Sequence, residues 1–156
     1  MATSISAKTY QVEIKESFFL DGVRRGSSVI TRNLSCGEIT TRTMEIEDAT
    51  NGTVIAEFGT ASGLGIYNKS TFKYLRITNL DKDNNLILHL EETTANHDTQ
   101  LVVRPLNSFI LSSLIIDNTA DIDSAVYEGG SQLQIDKITG LADNANIDIE
   151  LVIVTT

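Results

Sequence analysis

Four oxygen-bearing side chains between residues 81 and 92 are spaced like the ligands of a calcium-binding loop. They are Asp81, Asp83, Asn85 and Glu92, at positions 1, 3, 5 and 12 of the EF-hand pattern, where oxygen ligands bind Ca²⁺. Position 6 of that pattern requires glycine for a sharp bend, but here it is Leu86, and an apolar run begins there. The sequence therefore favours Asx side chains that cap their own turn, with Asp81, Asp83 and Asn85 as the alternative metal candidate.

The remaining residues that could do chemistry lack the partners that catalysis needs. The chain has two histidines, His89 and His97, and neither has a cysteine or a second histidine at a zinc-ligand spacing. The G-x-S-x-G elbow of many hydrolases is absent, because Ser62 lies one place late in its glycine-rich segment. Cys36, the single cysteine, has no neighbouring histidine or basic cluster and is predicted to be buried or half-buried. We therefore expect no enzyme and no cofactor.

Composition limits the class of protein. A chain of 156 residues fits one domain, and with 41% hydrophobic residues, 6% aromatic residues and no Trp its core must come from Ile, Leu and Val. These residues favour strands. A single cysteine is typical of a reducing cytoplasm, and neither a signal-peptide pattern nor an apolar stretch of membrane-spanning length occurs. We expect no membrane contact.

The net charge of −9 is concentrated toward the C-terminus. From Leu114 onward, eight acidic residues face one base, which gives −7, whereas the first 113 residues carry 13 acids and 11 bases, or −2. An acidic surface repels phosphate, so we expect no nucleic-acid partner. The acids are best explained by solubility at high concentration.

Short apolar runs alternate with polar turns along most of the chain, which predicts about ten strands. The predicted strands are 10–20, 28–34, 38–47, 54–58, 73–79, 86–91, 99–104, 108–114, 132–137 and 147–154. Helical periodicity is almost absent. The sequence therefore predicts an all-β fold, a single-domain antiparallel β-sandwich with jelly-roll topology over residues 9–156, preceded by an N-terminal arm over residues 1–8.

Turn signals predict how these strands connect. Asp21-Gly22 marks a turn, and residues 24–27 extend it into a solvated tip. Asn51-Gly52 is typical of a tight hairpin and predicts that strand 40–47 pairs with strand 54–58. The polar segment 81–85 predicts a second pairing, between strands 73–79 and 86–91. The segment 118–130 is expected to cross one end of the fold.

The residue pattern also predicts which faces of three strands are buried. Residues 86–88 and 109–111 are apolar on both faces, so their strands should be central, or covered by a second sheet or a neighbouring subunit. In the last strand, one face carries Ile147, Ile149, Leu151 and Ile153 and should point inward. His89 should face away from Leu88 and Leu90.

Three segments between residues 74 and 111 share a style of strand and turn. They are Tyr74-Leu75-Arg76-Ile77-Thr78-Asn79-Leu80-Asp81, Asn84-Asn85-Leu86-Ile87-Leu88-His89-Leu90 and Leu106-Asn107-Ser108-Phe109-Ile110-Leu111. This pattern resembles small all-β virion proteins of tailed bacteriophages, over about 40 residues. The chain departs from the pattern at Pro105-Leu106-Asn107, where Pro-Gly is usual, so the turn before that strand is expected to differ.

The resemblance implies a capsid decoration (cement) protein with a jelly-roll fold, a homotrimer in the virion that contacts the major capsid protein or other virion proteins. A tail, collar or baseplate component is the structural alternative. A glycan-binding β-sandwich module is the alternative from another class, although a chain without Trp has few rings on which sugars could stack. The interface is expected to use the N-terminal arm and edge residues, namely Met1, Ala2, Ile5, Tyr10 and Tyr127.

Overall fold

The computed structural model describes residues 8–48, 52–61, 63, 65–93, 97–116 and 133–156. Within them the chain forms thirteen strands and one 3₁₀ turn, Lys69–Thr71. The strands are β1 Lys8–Leu20, β2 Val23–Cys36, β3 Glu38–Ile46, β4 Thr53–Gly59, β5 Ile66–Asn68, β6 Phe72–Asn79, β7 Leu86–Glu92, β8 His97–Val103, β9 Ser108–Leu111, β10 Ile115–Ile116, β11 Leu133–Gln134, β12 Lys137–Ala142 and β13 Ile147–Thr155.

Two sheets enclose one hydrophobic core. The five-stranded sheet has the order β5-β4-β12-β7-β8, and the four-stranded sheet has the order β3-β13-β6-β9. Both contribute fully buried aliphatic side chains, such as Ile55 and Leu88 from the first sheet and Leu75 and Leu151 from the second. The predicted all-β sandwich is therefore confirmed, with β4–β5 as a parallel pair in an otherwise antiparallel arrangement. The jelly-roll topology stays a prediction.

The C-terminal half of β13, from Leu151 to Thr155, is buried on both faces, which the sequence pattern did not indicate. Its predicted inward face is confirmed, since Ile149 and Leu151 are fully buried in the core between the sheets. The opposite face is also covered, with Val152 at 4% and Val154 at 0% exposure. The cover comes from the first two strands of the chain, which pack on this outer face of the four-stranded sheet.

Strands β1 and β2 form a two-stranded sheet of their own, here called the β1–β2 hairpin. Asp21 and Gly22 adopt φ values of 50° and 75°, as expected for a tight type I′ turn. The prediction that residues 24–27 lie in a solvated loop is wrong, because β2 begins at Val23 and pairs with β1 up to the turn. The register shifts between Phe18 and Phe19, where a β-bulge accommodates Arg25 as one extra residue in β2.

Both predicted hairpin pairings inside the sandwich are also wrong. β3 pairs with β13 in the four-stranded sheet, whereas β4 pairs with β12 and β5 in the other sheet. Likewise β6 pairs with β13 and β9, whereas β7 pairs with β12 and β8. The connections 47–52 and 80–85 therefore cross from one sheet to the other. A short polar loop between two apolar runs has the same residue pattern in either case.

Strand β12 was missed because Gly140 interrupts its alternating pattern. A Cβ at this position would lie 2.7 Å from Cδ1 of Ile55 and 3.2 Å from Cδ1 of Leu86, so the core leaves room only for glycine. The prediction for strand 86–91 is confirmed, since β7 lies centrally between β12 and β8. For residues 109–111 the central alternative is wrong, because β9 is an edge strand whose Ile110 is 43% exposed, and cover by a neighbouring subunit stays a prediction.

The predicted division into an arm over residues 1–8 and one domain over residues 9–156 stays a prediction. Residues 9–36 belong to the β1–β2 hairpin and not to the two sheets of the sandwich. Of the predicted N-terminal arm, only Lys8 lies within the described residues, where it begins β1. The predicted excursion over residues 118–130 lies outside the described residues.

Candidate interaction surface

The oxygen-rich segment at residues 81–85 is a turn that caps itself. Oδ1 of Asp81 accepts hydrogen bonds from the backbone N–H groups of Asp83, at 2.8 Å, and Asn84, at 2.6 Å. These backbone hydrogen bonds, first from Asn84 and then from Asp83, hold the pKa of Asp81 below its ordinary value. The contacts are those of the Asx-capping interpretation.

The other calcium candidates have different surroundings. Asn85 donates from its backbone N–H and from Nδ2 to the two carboxylate oxygens of Asp143, at 2.9 and 2.6 Å. Glu92, the predicted twelfth ligand, is only 3% exposed at the end of β7. Among the residues that the structure describes, no group of three or more His, Cys, Asp or Glu side chains could hold a metal ion.

His89 lies in a polar cluster on the outer face of the five-stranded sheet, opposite to the buried Leu88 and Leu90, as predicted. Its Nδ1 lies 3.5 Å from Oε1 of Glu91 and its Nε2 lies 3.5 Å from Oδ2 of Asp98. Glu91 also contacts Lys137 at 2.6 Å. The cluster borders a shallow groove of about 160 Å³.

Among the residues that the structure describes around the groove beside His89, no nucleophile is paired with a base. Thr139 is the nearby hydroxyl, and it donates to Oε1 of Glu91 at 3.1 Å instead of to an imidazole nitrogen. The side chain of His97 and the whole of Ser62 lie outside the described residues. Glu91, Asp98 and Lys137 therefore form polar contacts between neighbouring strands on the surface of the sheet.

The base of the β1–β2 hairpin packs against the sandwich through an apolar stripe. Leu34 and Cys36 of β2 are buried against Val152 and Val154 of β13. The rings of Tyr10 and Tyr74 meet there with centroids 5.7 Å apart. Burial, and then the neighbouring Tyr10, raises the pKa of Tyr74 above its ordinary value. The predicted burial of Cys36 is confirmed at 2% exposure.

Beyond this base the same face of the hairpin continues without cover. Alternate residues of a strand share a face, so Ile14, Phe18 and Leu20 follow Tyr10 and Val12, while Ile30 pairs with Ile14 and Val23 with Leu20. Their exposures are 41% for Ile14, 61% for Phe18, 57% for Leu20, 54% for Val23 and 60% for Ile30. We call these five residues the distal apolar face.

Within the distal apolar face, the ring of Phe18 packs against the backbone of the paired strand. Phe18 lies across Gly26 of the paired strand so closely that a Cβ at Gly26 would be 2.6 Å from Cε1 of the ring. Glu16 and Ser28, the polar pair between Ile14 and Phe18, are linked by a 3.2 Å hydrogen bond from Ser28 Oγ to Glu16 Oε2. The aromatic ring is thereby placed in a defined position with its outer side open.

An open apolar cleft lies where the hairpin meets the sandwich. It has a volume of about 220 Å³ and is bordered by both strands of the hairpin and by the outer face of the four-stranded sheet. Its lining is Val12, Ile14, Ile30, Arg32, Tyr74, Ile110 and Ser112. The cleft and the distal apolar face are continuous, because Ile14 and Ile30 belong to both.

Sequence reasoning missed the residues that form this surface. Phe18 and Leu20 lie at the end of the predicted strand 10–20, and the residue pattern did not indicate that both are more than half exposed. The available signal was an apolar Phe-Phe-Leu run directly before the Asp-Gly turn, where a hairpin tip is remote from any core. Of the predicted interface residues, Met1, Ala2, Ile5 and Tyr127 lie outside the described residues, and Tyr10 packs on Tyr74.

Comparison with protein-family models, with curated proteins and with solved structures finds no match to this chain. In the part of the chain that the structure describes, no helix is long and apolar enough to cross a membrane.

Proposed function

We propose that this chain is a structural protein of a tailed-phage particle, a capsid decoration (cement) protein that works through protein–protein contacts. The observation that carries the proposal is the distal apolar face, an unburied apolar surface on a hairpin that extends from a sandwich. A contiguous exposed apolar patch of several hundred Å² is often functional. The assignment to tailed phages is supported by the resemblance of residues 74–111 to small all-β virion proteins.

The polar clusters of the described residues support a structural role. The side chain of Asp81 caps a turn, that of Asn85 binds Asp143, and that of Glu91 bridges Lys137 and Thr139 of the neighbouring strand. Each group satisfies another part of the same fold. The distal apolar face, in contrast, has no cover within the described residues, and protein partners bind apolar surface of this kind.

The energetics of such a contact suit a lattice. Five apolar side chains that are each about half exposed present on the order of 500 Å². At about 25 cal/mol per Å² the gross gain is on the order of 12 kcal/mol, which the cost of association, about 4–15 kcal/mol, largely offsets. A modest contact becomes strong when many copies bind one particle, because occupied sites act together.

The test is the copy number of the chain in purified particles. Density-purified tailed-phage particles from producing cells are analysed by quantitative mass spectrometry with labelled peptides of this chain. A decoration protein is expected at on the order of hundreds of copies per particle, and particles that lack it should lose DNA at lower temperature. A tail, collar or baseplate component would be present at a few tens of copies at most. Absence from the particles would overturn the proposal.

A further inference from the structure

The distal apolar face needs an occupant, and the structure points to a second copy of this chain. We infer that the hairpin tip of one copy, Phe18, Leu20 and Val23, lies in the cleft at the hairpin base of another copy. The inference rests on the proposed assembly role and adds the identity of one partner of this surface. Four features of the described residues carry it.

The first feature is that one face carries both halves of the contact. The tip is an apolar protrusion and the cleft is an apolar recess of about 220 Å³, wide enough for an aromatic side chain. They are separated along the strand by the six residue steps from Ile14 to Leu20, about 20 Å. Two copies that face each other with their hairpins antiparallel bring each tip to the other's cleft, as a two-fold interface requires.

The second feature is continuity with a contact that already exists. The proximal part of the same stripe, with Leu34 at 7% exposure, packs on Val152 and Val154. The distal part has the same composition and face but no sheet beneath it. The proximal half of this hairpin face packs on the sandwich of its own chain. The distal half would be buried in the same way by packing on the sandwich of a second copy.

The third feature is charge. Residues 8–36 carry five basic and three acidic residues, or +2, while the described residues from Glu38 onward carry seven basic and fourteen acidic residues, or −7. Two sandwiches repel each other, but a cationic hairpin is attracted to the acidic sandwich of another copy. At the contact, Asp21 of the turn would approach Arg32, which borders the partner's cleft.

The fourth feature is area. The distal apolar face exposes on the order of 500 Å², and Ile110 of the cleft, which is 43% exposed, adds to it. A reciprocal pair covers this surface on both copies, on the order of 1,200 Å² in all, which reaches the range of specific interfaces. The position of Phe18 over Gly26 reduces the ordering cost, since the anchor is already in place.

The experiment measures the mass of the purified full chain by light scattering after size exclusion, over a hundredfold range of concentration. The wild-type chain is expected to self-associate. F18S on the tip and I110E in the cleft should each raise the dissociation constant roughly 30-fold or more, the effect of a hot-spot residue. The matched control is F19S, which changes an equally exposed ring on the opposite face and should leave the constant within about threefold.

A cross-linking arm tests the specific contact and does not depend on affinity. Chains with F18C and chains with I110C are mixed and oxidised mildly, with the native Cys36 buried. A disulfide between the two different chains is expected, and F19C mixed with I110C should give little. Circular dichroism of each variant checks that the fold is kept, which the exposure of the three sites favours.

The outcomes separate this inference from the proposed function. A monomeric wild-type chain, or an oligomer that F18S and I110E leave unchanged, overturns the inference, as does capture of the tip by anionic vesicles in place of self-association. If the chain self-associates through these residues but is absent from phage particles, the virion role fails and this interface stands. If the chain is present in particles but monomeric when purified, the virion role stands and this interface fails.

Discussion

At the scale of single residues, Asn79 is the buried polar side chain that ties the end of β6 to its surroundings. It is fully buried, its Nδ2 donates to the carbonyl oxygens of Asn84, at 2.9 Å, and Val103, at 3.2 Å, and its Oδ1 accepts from the N–H of Asp81 at 3.0 Å. The amide thereby satisfies backbone groups of the 80–85 connection and of β8 that the sandwich removes from water.

We expect N79A to lower the free energy of unfolding by about 2–4 kcal/mol, because three backbone groups lose their partner in a buried place. Urea denaturation monitored by circular dichroism measures the change. The control is N33A, which removes an exposed asparagine from β2 and should change the free energy by less than about 0.5 kcal/mol. Equal effects of the two variants would contradict the role of Asn79.

Asp136 is the second residue with a defined energetic role. Its Oδ1 pairs with Lys69, and its Oδ2 accepts from the backbone N–H of Thr93, at 2.8 Å, and from its hydroxyl, at 2.6 Å. Burial by itself would raise the pKa of Asp136, but the hydrogen bonds from Lys69 and Thr93 outweigh it, and the pKa lies below its ordinary value.

A carboxyl whose pKa is lower in the folded than in the unfolded chain stabilises the fold above the unfolded pKa, near 3.9. That contribution is lost as the pH falls through the folded pKa. We expect D136N to cost about 1–2 kcal/mol at pH 7 and the difference from wild type to shrink below about pH 4. Denaturation at a series of pH values tests this, and a difference between D136N and wild type that stays undiminished at pH 3 would contradict the role of Asp136.

At the scale of elements, β12 depends on a glycine at its centre. The Cβ of any other residue at 140 would lie within 3.4 Å of three buried side-chain ends, those of Ile55, Leu86 and Ile46. Because these side chains are themselves fully buried, they have little room to move. We expect G140V to destabilise the sandwich by about 1–3 kcal/mol through overpacking.

Thermal and urea unfolding measure the effect of G140V. T139V is its control on the adjacent, outward-facing position, where a β-branched side chain already fits and only the hydrogen bond to Glu91 is lost. We expect T139V to cost less than about 1 kcal/mol. If G140V were as stable as wild type, the close approach of β12 to the core would be refuted.

The β1–β2 hairpin is an element whose attachment can be weakened separately. Leu34 is 7% exposed at the contact with Val152 and Val154, so L34A should cost about 2–3 kcal/mol of that contact. Hydrogen exchange should then rise in residues 8–36 and stay unchanged in β7 and β13, which lie in the core. T31A, on the exposed face of the same strand, is the control and should alter neither region.

At the scale of the whole molecule, the proposed contact and the stability of the fold depend on different parts of the chain, the distal hairpin and the sandwich. Residues 14–30 pair only with each other, and most of their side chains are exposed. Replacing them with a two-residue Asn-Gly turn between Glu13 and Thr31 keeps the base of the hairpin. We expect this variant to fold with a melting temperature within a few degrees of wild type and to lose self-association and particle binding. A variant that fails to fold would show that the distal hairpin stabilises the sandwich.

The sequence predicts features that depend on neighbouring residues better than features that depend on contacts between distant strands. Alternation of polar and apolar residues locates β7, β8 and β13 correctly, because a strand on a core needs one apolar face whatever its partners are. Gly140 hid β12, since the reason for its glycine is a contact with Ile55 from a different strand. For the candidate surface, the residues Phe18 and Leu20 were visible as apolar, but their exposure was not.

The amino-acid sequence by itself determined an all-β chain, a turn at Asp21-Gly22, the inward face of β13 and the capping of residues 81–85, all of which depend on neighbours along the chain. Only the tertiary structure decided which strands pair, that segments 47–52 and 80–85 connect two sheets, and that the hairpin extends past the sheet that covers its base. Burial and pairing are set by contacts between residues that are far apart in sequence. The pattern of one strand does not identify the strand beside it or show where its cover ends.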